Sequence, residues 1–160
     1  MDIKILTVGG TIDKIYFDAQ SEFKVGEPQI GDLLQEANVS FDYSIQSLMR
    51  KDSLEMTEAD RQLVREAVEQ ETTDRILITH GTDTMADTAR ALVGVEGKTV
   101  VLTGAMQPAR LRVSDAIFNI GFAIAALQQL APGVYVAING RVFDPAHVRK
   151  NWEEQRFEVD

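Results

Sequence analysis

The sequence contains no cysteine. Disulfide bonds, zinc–thiolate sites and cysteine nucleophiles are therefore excluded, while the cellular compartment stays open on this evidence. Basic residues are also scarce: 16 lysines and arginines stand against 25 acidic residues, which gives a formal net charge of -9 at pH 7. Because nucleic-acid binding needs a basic surface, this balance argues against a nucleic-acid partner. The acidity is more typical of a surface that keeps a protein soluble.

Long apolar runs are missing as well. The longest, Ala116–Leu127, contains Asn119 and is shorter than a bilayer span requires. Met1 leads directly into a strand pattern, without the basic and then apolar leader of a signal peptide. We therefore expect no membrane partner and a cytoplasmic location. The length of 160 residues and the apolar fraction of 44% predict a single domain, residues 1–160, with a core of ordinary size.

Short strand patterns and helical patterns alternate along the chain. Strands are predicted over Ile3–Val8, Tyr43–Leu48, Arg75–Thr79, Thr99–Thr103 and Gly133–Ile138. Helices are predicted over Pro28–Ala37, Thr57–Glu69, Met85–Val93 and Ser114–Leu130. This alternation predicts the α/β class: a doubly wound, mostly parallel sheet with right-handed crossovers and helices on both faces, as in Rossmann-like or flavodoxin-like three-layer sandwiches.

Local signals define several connections. Thr57–Asp60 resembles a capping box at the start of a helix, and the Asn139-Gly140 turn predicts that Arg141–Phe143 pairs back as a hairpin. Ile12–Pro28 has no helical period and is predicted to be a long loop, and loops of this length are usually functional lids or disordered segments. The polar segment Asp144–Asp160 is predicted to be loop and tail.

Chemically useful residues are densest in Thr79–Met85, where a predicted strand turns into a helix. Ligands of open α/β sheets bind at this edge, and a helix N-terminus favours negative charge. The threonine hydroxyls and the Asp83 carboxylate therefore suit acyl chemistry or anion binding. Thr82 or Asp83 would serve equally well as a plain helix cap. His80 is a tempting base, although a histidine at a strand end is more often a structural hydrogen-bonding residue.

Two further strand ends carry polar groups. Gly9-Gly10-Thr11 offers a hydroxyl beside backbone that approaches a ligand closely, with an ordinary turn as the alternative. Its spacing matches neither a dinucleotide nor a P-loop fingerprint, so no such cofactor is expected. Ser53 would bind a carboxylate, with a polar loop as the alternative. A threonine nucleophile also needs a base, for which a lysine with a lowered pKa is suitable.

Together, these motifs resemble the bacterial-type L-asparaginases in order and in approximate spacing. The matching segments are Thr7–Ile12, Asp52–Met56, Ile78–Met85, Thr103–Pro108, Asn139–Asp144 and His147–Asn151. The resemblance extends over most of the chain, and the pair of threonine motifs is its most specific part. The resemblance implies the N-terminal catalytic domain of that family, without a metal or cofactor.

The resemblance also implies catalytic roles. Thr11 would be the nucleophile that attacks the side-chain amide. Thr82, Asp83 and Lys150 would form a second triad, in which the lysine raises the reactivity of the threonine hydroxyl. The family's nucleophile is assisted by a tyrosine of a mobile loop, and this chain has Phe23 at the corresponding position. Tyr16, earlier in the same segment, is our candidate for the missing phenol.

Substrate-binding roles follow in the same way. Asp83 would hold the α-ammonium group, with Glu55 near it, and Ser53 would hold the α-carboxylate. The carbonyl of Ala105 would face the amide being cleaved. The remaining members of the predicted substrate-binding set are Gly10, Asp52 and Gly81.

The resemblance implies an L-asparagine amidohydrolase that forms L-aspartate and ammonia through an acyl-enzyme, with L-glutamine open as a second substrate. The alternatives are a non-catalytic amino-acid or amide-binding module and an ammonia-supplying subunit of a larger amidotransferase. Full-length family members carry a C-terminal domain that completes a neighbouring site, whereas this sequence ends soon after Lys150. The site is then built by fewer groups, completed by another copy, or impaired. We expect a homodimer or higher homo-oligomer, and the apolar Ser114–Leu130 helix belongs to a subunit interface or to the core.

Overall fold

The computed structural model describes residues 1–17 and 22–160. Its strands, numbered in chain order, are β1 (Asp2–Gly9), β2 (Lys14–Phe17), β3 (Glu22–Val25), β4 (Asp42–Lys51), β5 (Arg75–Thr79), β6 (Thr99–Thr103), β7 (Gly133–Ile138), β8 (Arg141–Phe143), β9 (Val148–Asn151) and β10 (Arg156–Val159). The α-helices are α1 (Ile30–Glu36), α2 (Glu58–Gln70), α3 (Met85–Leu92) and α4 (Ala116–Gln129). Within the described residues, no helix has the length and apolarity needed to cross a membrane.

The main sheet has the strand order β4-β1-β5-β6-β7-β8. Neighbouring strands from β4 to β7 are parallel, and β8 pairs antiparallel with β7. Alternate residues of each strand face opposite sides of the sheet. One side packs against α2 and α3, and the other against α1 and α4. The predicted α/β fold, a mostly parallel sheet with helices on both faces, is thereby confirmed.

The crossover through α4 corrects the prediction of uniform handedness. The chain moves in the same direction along the sheet from β5 to β6 and from β6 to β7. However, α3 lies on one face and α4 on the other, so the two crossovers have opposite hands. The crossovers through α1 and α2 share the hand of the one through α3, which leaves α4 in the rare left-handed class. To reach the second face, residues 104–115 pass over the carboxyl edge of the sheet.

Two local predictions are confirmed in detail. The N–H of Asp60 donates to Thr57 Oγ1 at 3.2 Å and the N–H of Thr57 to Asp60 Oδ2 at 2.9 Å, which is the predicted capping box. Asn139 and Gly140 have φ values of 54° and 74°. Positive φ at both positions is typical of the tight turn that joins two antiparallel strands, and this turn connects β7 to β8.

The prediction of a long loop over Ile12–Pro28 is wrong in the described part of that segment. A short 3-10 helix, Thr11–Asp13, leads into β2, which pairs antiparallel with β3. Cross-strand aromatic contact supports the pairing, because Tyr16 and Phe23 face each other with ring centroids 5.6 Å apart. The predicted loop also included residues 18–21, which lie outside the described residues.

The prediction of loop and tail after Asp144 is also wrong. A 3-10 turn is followed by β9 and β10, which form an antiparallel hairpin. Val148 and Phe157 are buried in the core against the α2–α3 face of the sheet. The apolar positions are too few and too widely spaced to have been recognised as strands, yet two buried side chains anchor the hairpin to the domain.

Candidate active site

The site lies where the sheet topology changes direction. From β1 the chain moves to β4 on one side, and it then crosses back to β5 on the other. The carboxyl ends of β1 and β5 therefore border the crevice in which open α/β sheets bind ligands. Thr11 follows β1 and Thr82 follows β5, so the topology brings both predicted threonines to this crevice.

Two glycines bring these strand ends into contact. Gly10 has a φ of +87°, and a β-carbon placed on it would lie 2.3 Å from the Cα of Gly81. A β-carbon on Gly81 would in turn lie 2.6 Å from the Oγ of Ser53. Side chains at either position would force the three segments apart. Three motifs that are distant in the sequence thus converge, with Thr11 and Thr82 each directly following one of the touching glycines.

Lys150 joins the second threonine to its neighbouring carboxylate. Its Nζ donates to Thr82 Oγ1 at 2.8 Å and to Asp83 Oδ1 at 2.5 Å. The side chains of Lys150 and Asp83 are only 8% and 20% exposed, so the ion pair is largely shielded from water. The alternative in which Thr82 or Asp83 caps the helix is wrong, because the cap position of α3 is Thr84 and it has no side-chain capping bond.

The β9–β10 hairpin delivers Lys150 to this position. Lys150 pairs with Phe157 across the hairpin. The carbonyl of Val148 accepts from Arg90 Nη2 at 2.7 Å, and the N–H of Phe157 donates to Asn139 Oδ1 at 2.9 Å. The hairpin is therefore tied to α3 and to the β7–β8 turn, which fixes the backbone that carries the lysine.

Ser53 is fixed by the segment that precedes α3. Its Oγ accepts from the N–H of Thr84 at 3.3 Å, and its carbonyl accepts from Thr84 Oγ1 at 2.8 Å. Ser53 is 2% exposed and lies directly against Gly81. The hydroxyl is thus held at the crevice by backbone contacts on two sides.

Asp52 connects the Ser53 segment to β2. Its carboxylate accepts from the N–H of Leu54 at 3.0 Å and from Lys14 Nζ at 3.2 Å. Burial raises the pKa of Asp52, but the hydrogen bonds from Leu54 and Lys14 and the positive charges of Lys14 and Lys150 outweigh it and lower this pKa below the ordinary 3.8. The carboxylate is therefore ionised at neutral pH and binds the base of the β2–β3 hairpin.

His80 is completely buried and both ring nitrogens are engaged. Nδ1 lies 2.7 Å from the carbonyl of Gly81 and Nε2 lies 2.8 Å from Thr88 Oγ1. Because a carbonyl only accepts, Nδ1 carries the proton and Nε2 accepts from Thr88. Burial lowers the pKa of His80 to about 4. The imidazole is therefore a neutral structural group, as the strand-end position suggested.

Tyr16 and Thr11 are near each other in the chain, but the structure does not join them. Tyr16 is 53% exposed on β2, where its ring contacts Phe23. Among the described residues, no hydrogen bond links the phenol to Thr11. The hairpin thus places the two candidate aromatic positions side by side, beyond the 3-10 turn that carries Thr11.

The two remaining predicted residues, Ala105 and Glu55, differ in exposure. Ala105 is buried directly after β6, where a β-carbon placed on the preceding Gly104 would lie 2.2 Å from the carbonyl oxygen of His80. Glu55 is exposed at the end of a 3-10 turn and lines a groove of about 270 Å³ beside Lys14. Within the described residues, no cluster of three or more histidine, aspartate or glutamate side chains is placed to hold a metal ion.

Sequence reasoning missed several residues that organise the site. Thr84, Lys14 and Trp152 have no sequence signal, because their partners are distant in the chain. Asn119 had one: it is a fully buried amide within an apolar helix. Its Nδ2 donates to the Gly104 carbonyl at 2.9 Å and its Oδ1 accepts from the N–H of Asn139 at 3.1 Å. It therefore ties the ends of β6 and β7 together beneath the site.

A family model described as "Asparaginase, N-terminal" matches residues 2–158. The chain belongs to this family. A relative from Haemophilus influenzae, described as "Probable L-asparaginase periplasmic", is 32% identical over 161 residues, which cover 93% of this chain and 46% of the relative. A glutamyl-tRNA(Gln) amidotransferase subunit from Methanococcus vannielii is 44% identical over 71 residues, which cover 43% of this chain and 17% of that protein.

Solved structures agree with this family assignment. L-asparaginase I from Vibrio cholerae superimposes with a TM-score of 0.85 at 29% identity, and the aligned region covers 99% of this chain and 51% of the Vibrio cholerae chain. The thermostable L-asparaginase from Thermococcus kodakarensis superimposes with a TM-score of 0.83 at 27% identity, and the aligned region covers 99% of this chain and 51% of the Thermococcus chain. The chain thus spans about half the length of the relatives that it matches.

Proposed function

We propose that this chain hydrolyses the side-chain amide of L-asparagine to L-aspartate and ammonia through a threonine-bound acyl intermediate. The observation that carries the proposal is the position of Lys150, whose Nζ contacts both Thr82 Oγ1 and Asp83 Oδ1 in a largely buried ion pair. Perturbed or paired charges in a crevice are typical of catalytic sites. Membership of the asparaginase family supports amide hydrolysis as the chemistry.

Thr11 is the proposed nucleophile. Its hydroxyl loses a proton as the oxygen attacks the amide carbon, and the tetrahedral oxyanion collapses to a threonine ester when the C–N bond breaks; the nitrogen takes up a proton and leaves as ammonia. Water then hydrolyses the ester and regenerates the Thr11 hydroxyl. The strand end that carries Thr11 contains two glycines with positive φ, at Gly9 and Gly10. The N–H of Gly10 donates to the Lys51 carbonyl at 2.9 Å, so the N–H groups that follow it in this turn are the ones proposed to stabilise the oxyanion.

Thr82 and Lys150 are the proposed activating pair. In the ammonium form, Lys150 donates to Thr82 Oγ1 and to Asp83. When deprotonated, the amine accepts a proton from the Thr82 hydroxyl, and the Thr82 oxygen in turn takes a proton from the water that hydrolyses the Thr11 ester. Asp83 holds the lysine in reach throughout, since a carboxylate accepts on more than one oxygen.

The substrate is proposed to lie between Ser53 and Asp83. The Ser53 hydroxyl is fixed against Gly81 and suits an α-carboxylate, while Asp83 suits an α-ammonium group. The carbonyl of Ala105 would accept from the amide nitrogen.

Ammonia release from asparagine and glutamine tests this proposal. Wild type, Thr11→Ala and Thr82→Ala are compared with Thr72→Ala, an exposed threonine before the amino end of β5 and thus at the opposite edge of the sheet. We expect activity in wild type and Thr72→Ala, and its loss in the two site variants. A folded wild-type protein that releases no ammonia at high asparagine concentration would contradict the proposal.

One observation favours a second function, an ammonia-supplying subunit of a larger amidotransferase. The Methanococcus vannielii relative, which is described as part of an amidotransferase, shares 44% identity over 71 residues. In that case ammonia release requires a partner and is weak in the isolated chain.

A third function, a binding module without turnover, predicts thermal stabilisation by aspartate without ammonia release.

Self-association is proposed to use the outer face of α4. Ile117 and Phe118 are 66% and 61% exposed there, and the Phe118 ring stacks on that of Phe122. An exposed apolar face of this kind favours association. Sedimentation of wild type and Phe118→Glu tests it: a dimer or larger species that dissociates in the variant is expected, and a monomeric wild type would contradict it.

A further inference from the structure

Trp152 is the one tryptophan of the sequence, and it lies against the site lysine. The Nζ of Lys150 is 4.4 Å from the centroid of the indole ring, well within the range of a cation–π contact. The ring is 54% exposed, so burial in the core does not explain its presence. Its contact with the ammonium group is therefore the feature that needs explanation.

The contact completes the surroundings of the ammonium group. A lysine ammonium has three N–H donors. Two of them go to Thr82 Oγ1 and Asp83 Oδ1, and the indole ring of Trp152 lies 4.4 Å from the same nitrogen. The flexible lysine head thus has three partners, of which only Asp83 is charged.

The turn that carries Trp152 is built rigidly. Asn151 Oδ1 accepts from the N–H groups of Glu153 and Glu154 at 3.1 and 3.0 Å, and the carbonyl of Trp152 accepts from Gln155 Nε2 at 2.6 Å. Gln155 closes the turn with a φ of 49°, in the left-handed region. These bonds fix the backbone on both sides of Trp152, so the turn determines where the indole ring lies.

We propose that Trp152 is a positioning residue that holds the Lys150 ammonium group in place against Thr82 and Asp83. It acts through the lysine and does not contact the reacting atoms. Its kinetic consequence rests on the proposed function, because Lys150 matters for turnover only if Thr82 takes part in catalysis. Its structural consequence, an ordered lysine ammonium, does not depend on that function.

Kinetics test the consequence for turnover. Trp152→Leu keeps an apolar side chain and removes the aromatic face, whereas Trp152→Phe keeps an aromatic face. We expect Trp152→Leu to lower kcat about five- to tenfold at nearly unchanged KM, and Trp152→Phe to recover most of the loss. Phe41→Leu, a half-buried aromatic residue before the amino end of β4 and thus at the opposite edge of the sheet, controls for loss of an aromatic side chain and leaves kcat unchanged. A higher KM at unchanged kcat would overturn the proposal, because it would indicate substrate contact.

Nuclear magnetic resonance tests the positioning directly, whether or not the chain turns over substrate. A lysine over an indole has side-chain protons shifted upfield by the ring current, and an ordered ammonium shows slowly exchanging Nζ–H signals. We expect both for Lys150 in wild type, with loss of both in Trp152→Leu and retention in Trp152→Phe. Lys150→Met assigns the signals. If the Nζ–H signals persist in Trp152→Leu, the indole does not hold the ammonium and the proposal fails. If ammonia release is absent but the signals behave as expected, only the proposed function fails.

Discussion

Lys150 and Thr82 are separated by 68 positions in the chain, and the Nζ of Lys150 lies 2.8 Å from the Oγ1 of Thr82. The same nitrogen pairs with Asp83, which follows Thr82 directly. A hairpin anchored by two buried apolar residues, Val148 and Phe157, brings the lysine to the strand end. The final strands of the chain are therefore part of the catalytic centre that we propose.

Two substitutions of Lys150 separate the effect of its positive charge from the effect of its basicity. Lys150→Met should lower kcat by about a hundredfold or more, because the proposed base is lost. It should also cost about 1 to 2 kcal/mol of unfolding free energy, since Asp83 is left without its ion-pair partner in a shielded position. Lys150→Arg should restore stability but not activity, because a guanidinium stays charged at neutral pH.

Ammonia release and urea unfolding of the two Lys150 variants measure these effects. High activity in Lys150→Arg would show that only the positive charge is needed and would contradict the base role. Unchanged stability in Lys150→Met would show that the pair with Asp83 contributes nothing to the fold.

Much of the fold follows from local patterns. Apolar runs such as Arg75–Thr79 and Thr99–Thr103 have the observed bounds because a strand buried on both faces is apolar throughout. The turn at Asn139-Gly140 is equally local. The β2–β3 and β9–β10 hairpins were missed, since their stability comes from cross-strand contacts and core anchors. The hand of the α4 crossover is a property of the whole sheet and has no local signal.

The residues of the candidate site also fall into two groups, those with a local sequence signal and those without one. Glycines and hydroxyls at Gly10, Thr11 and Thr82 stand out because they interrupt strong strand patterns. Contacts such as Lys14 with Asp52 or Trp152 with Lys150 depend on how distant segments meet. Only a structure or a resemblance relates such residues, and Lys150 itself was found through the resemblance.

The contact between Gly10 and Gly81 predicts a specific intolerance to any side chain. Gly10→Ala should destabilise the fold by at least about 3 kcal/mol and abolish activity, because it combines a φ of +87° with a β-carbon 2.3 Å from Gly81 Cα. Gly94→Ala is a matched control: its φ is +92°, and nothing lies within 4 Å of the added carbon. It should cost only about 1 kcal/mol, the strain of the left-handed backbone.

Urea unfolding of both alanine variants measures the difference between the two glycines. Equal losses would mean that backbone strain accounts for the whole effect and that the two strand ends are not in contact.

Asp13 predicts an unusual dependence of stability on pH. Its side chain is 2% exposed, and burial raises its pKa from the ordinary 3.8 to about 7, against the opposing effects of the Gln29 N–H at 3.0 Å and the charge of Arg50. Between pH 4 and 7 the unfolded chain releases this proton while the folded chain keeps it. The contribution of Asp13 to stability is therefore present below pH 4 and is lost as the pH rises through 7.

Asp13→Asn removes this titration and keeps an oxygen to accept from Gln29. Relative to wild type, the variant should gain little at pH 4 and on the order of 3 to 4 kcal/mol at pH 8. Urea unfolding of both proteins at pH 4 and pH 8 measures this difference in unfolding free energy. The titration of His80 has the opposite effect on stability but is the same in both proteins, so it cancels when they are compared. A gain that is the same at pH 4 and pH 8 would show that Asp13 does not titrate in this range.

Because Tyr16 and Phe23 face each other across the β2–β3 hairpin, two substitutions can transfer the phenol from β2 to β3. Their rings face each other 5.6 Å apart, and we predict that Tyr16 assists Thr11 when substrate is bound. Tyr16→Phe should then lower kcat by about ten- to a hundredfold, because proton transfer from the Thr11 hydroxyl loses its partner. Adding Phe23→Tyr to that variant should recover activity if the neighbouring position also reaches Thr11. Ammonia release from the single and double variants decides: full activity in Tyr16→Phe excludes Tyr16, and a rise in activity from Phe23→Tyr alone would place the effective phenol at position 23.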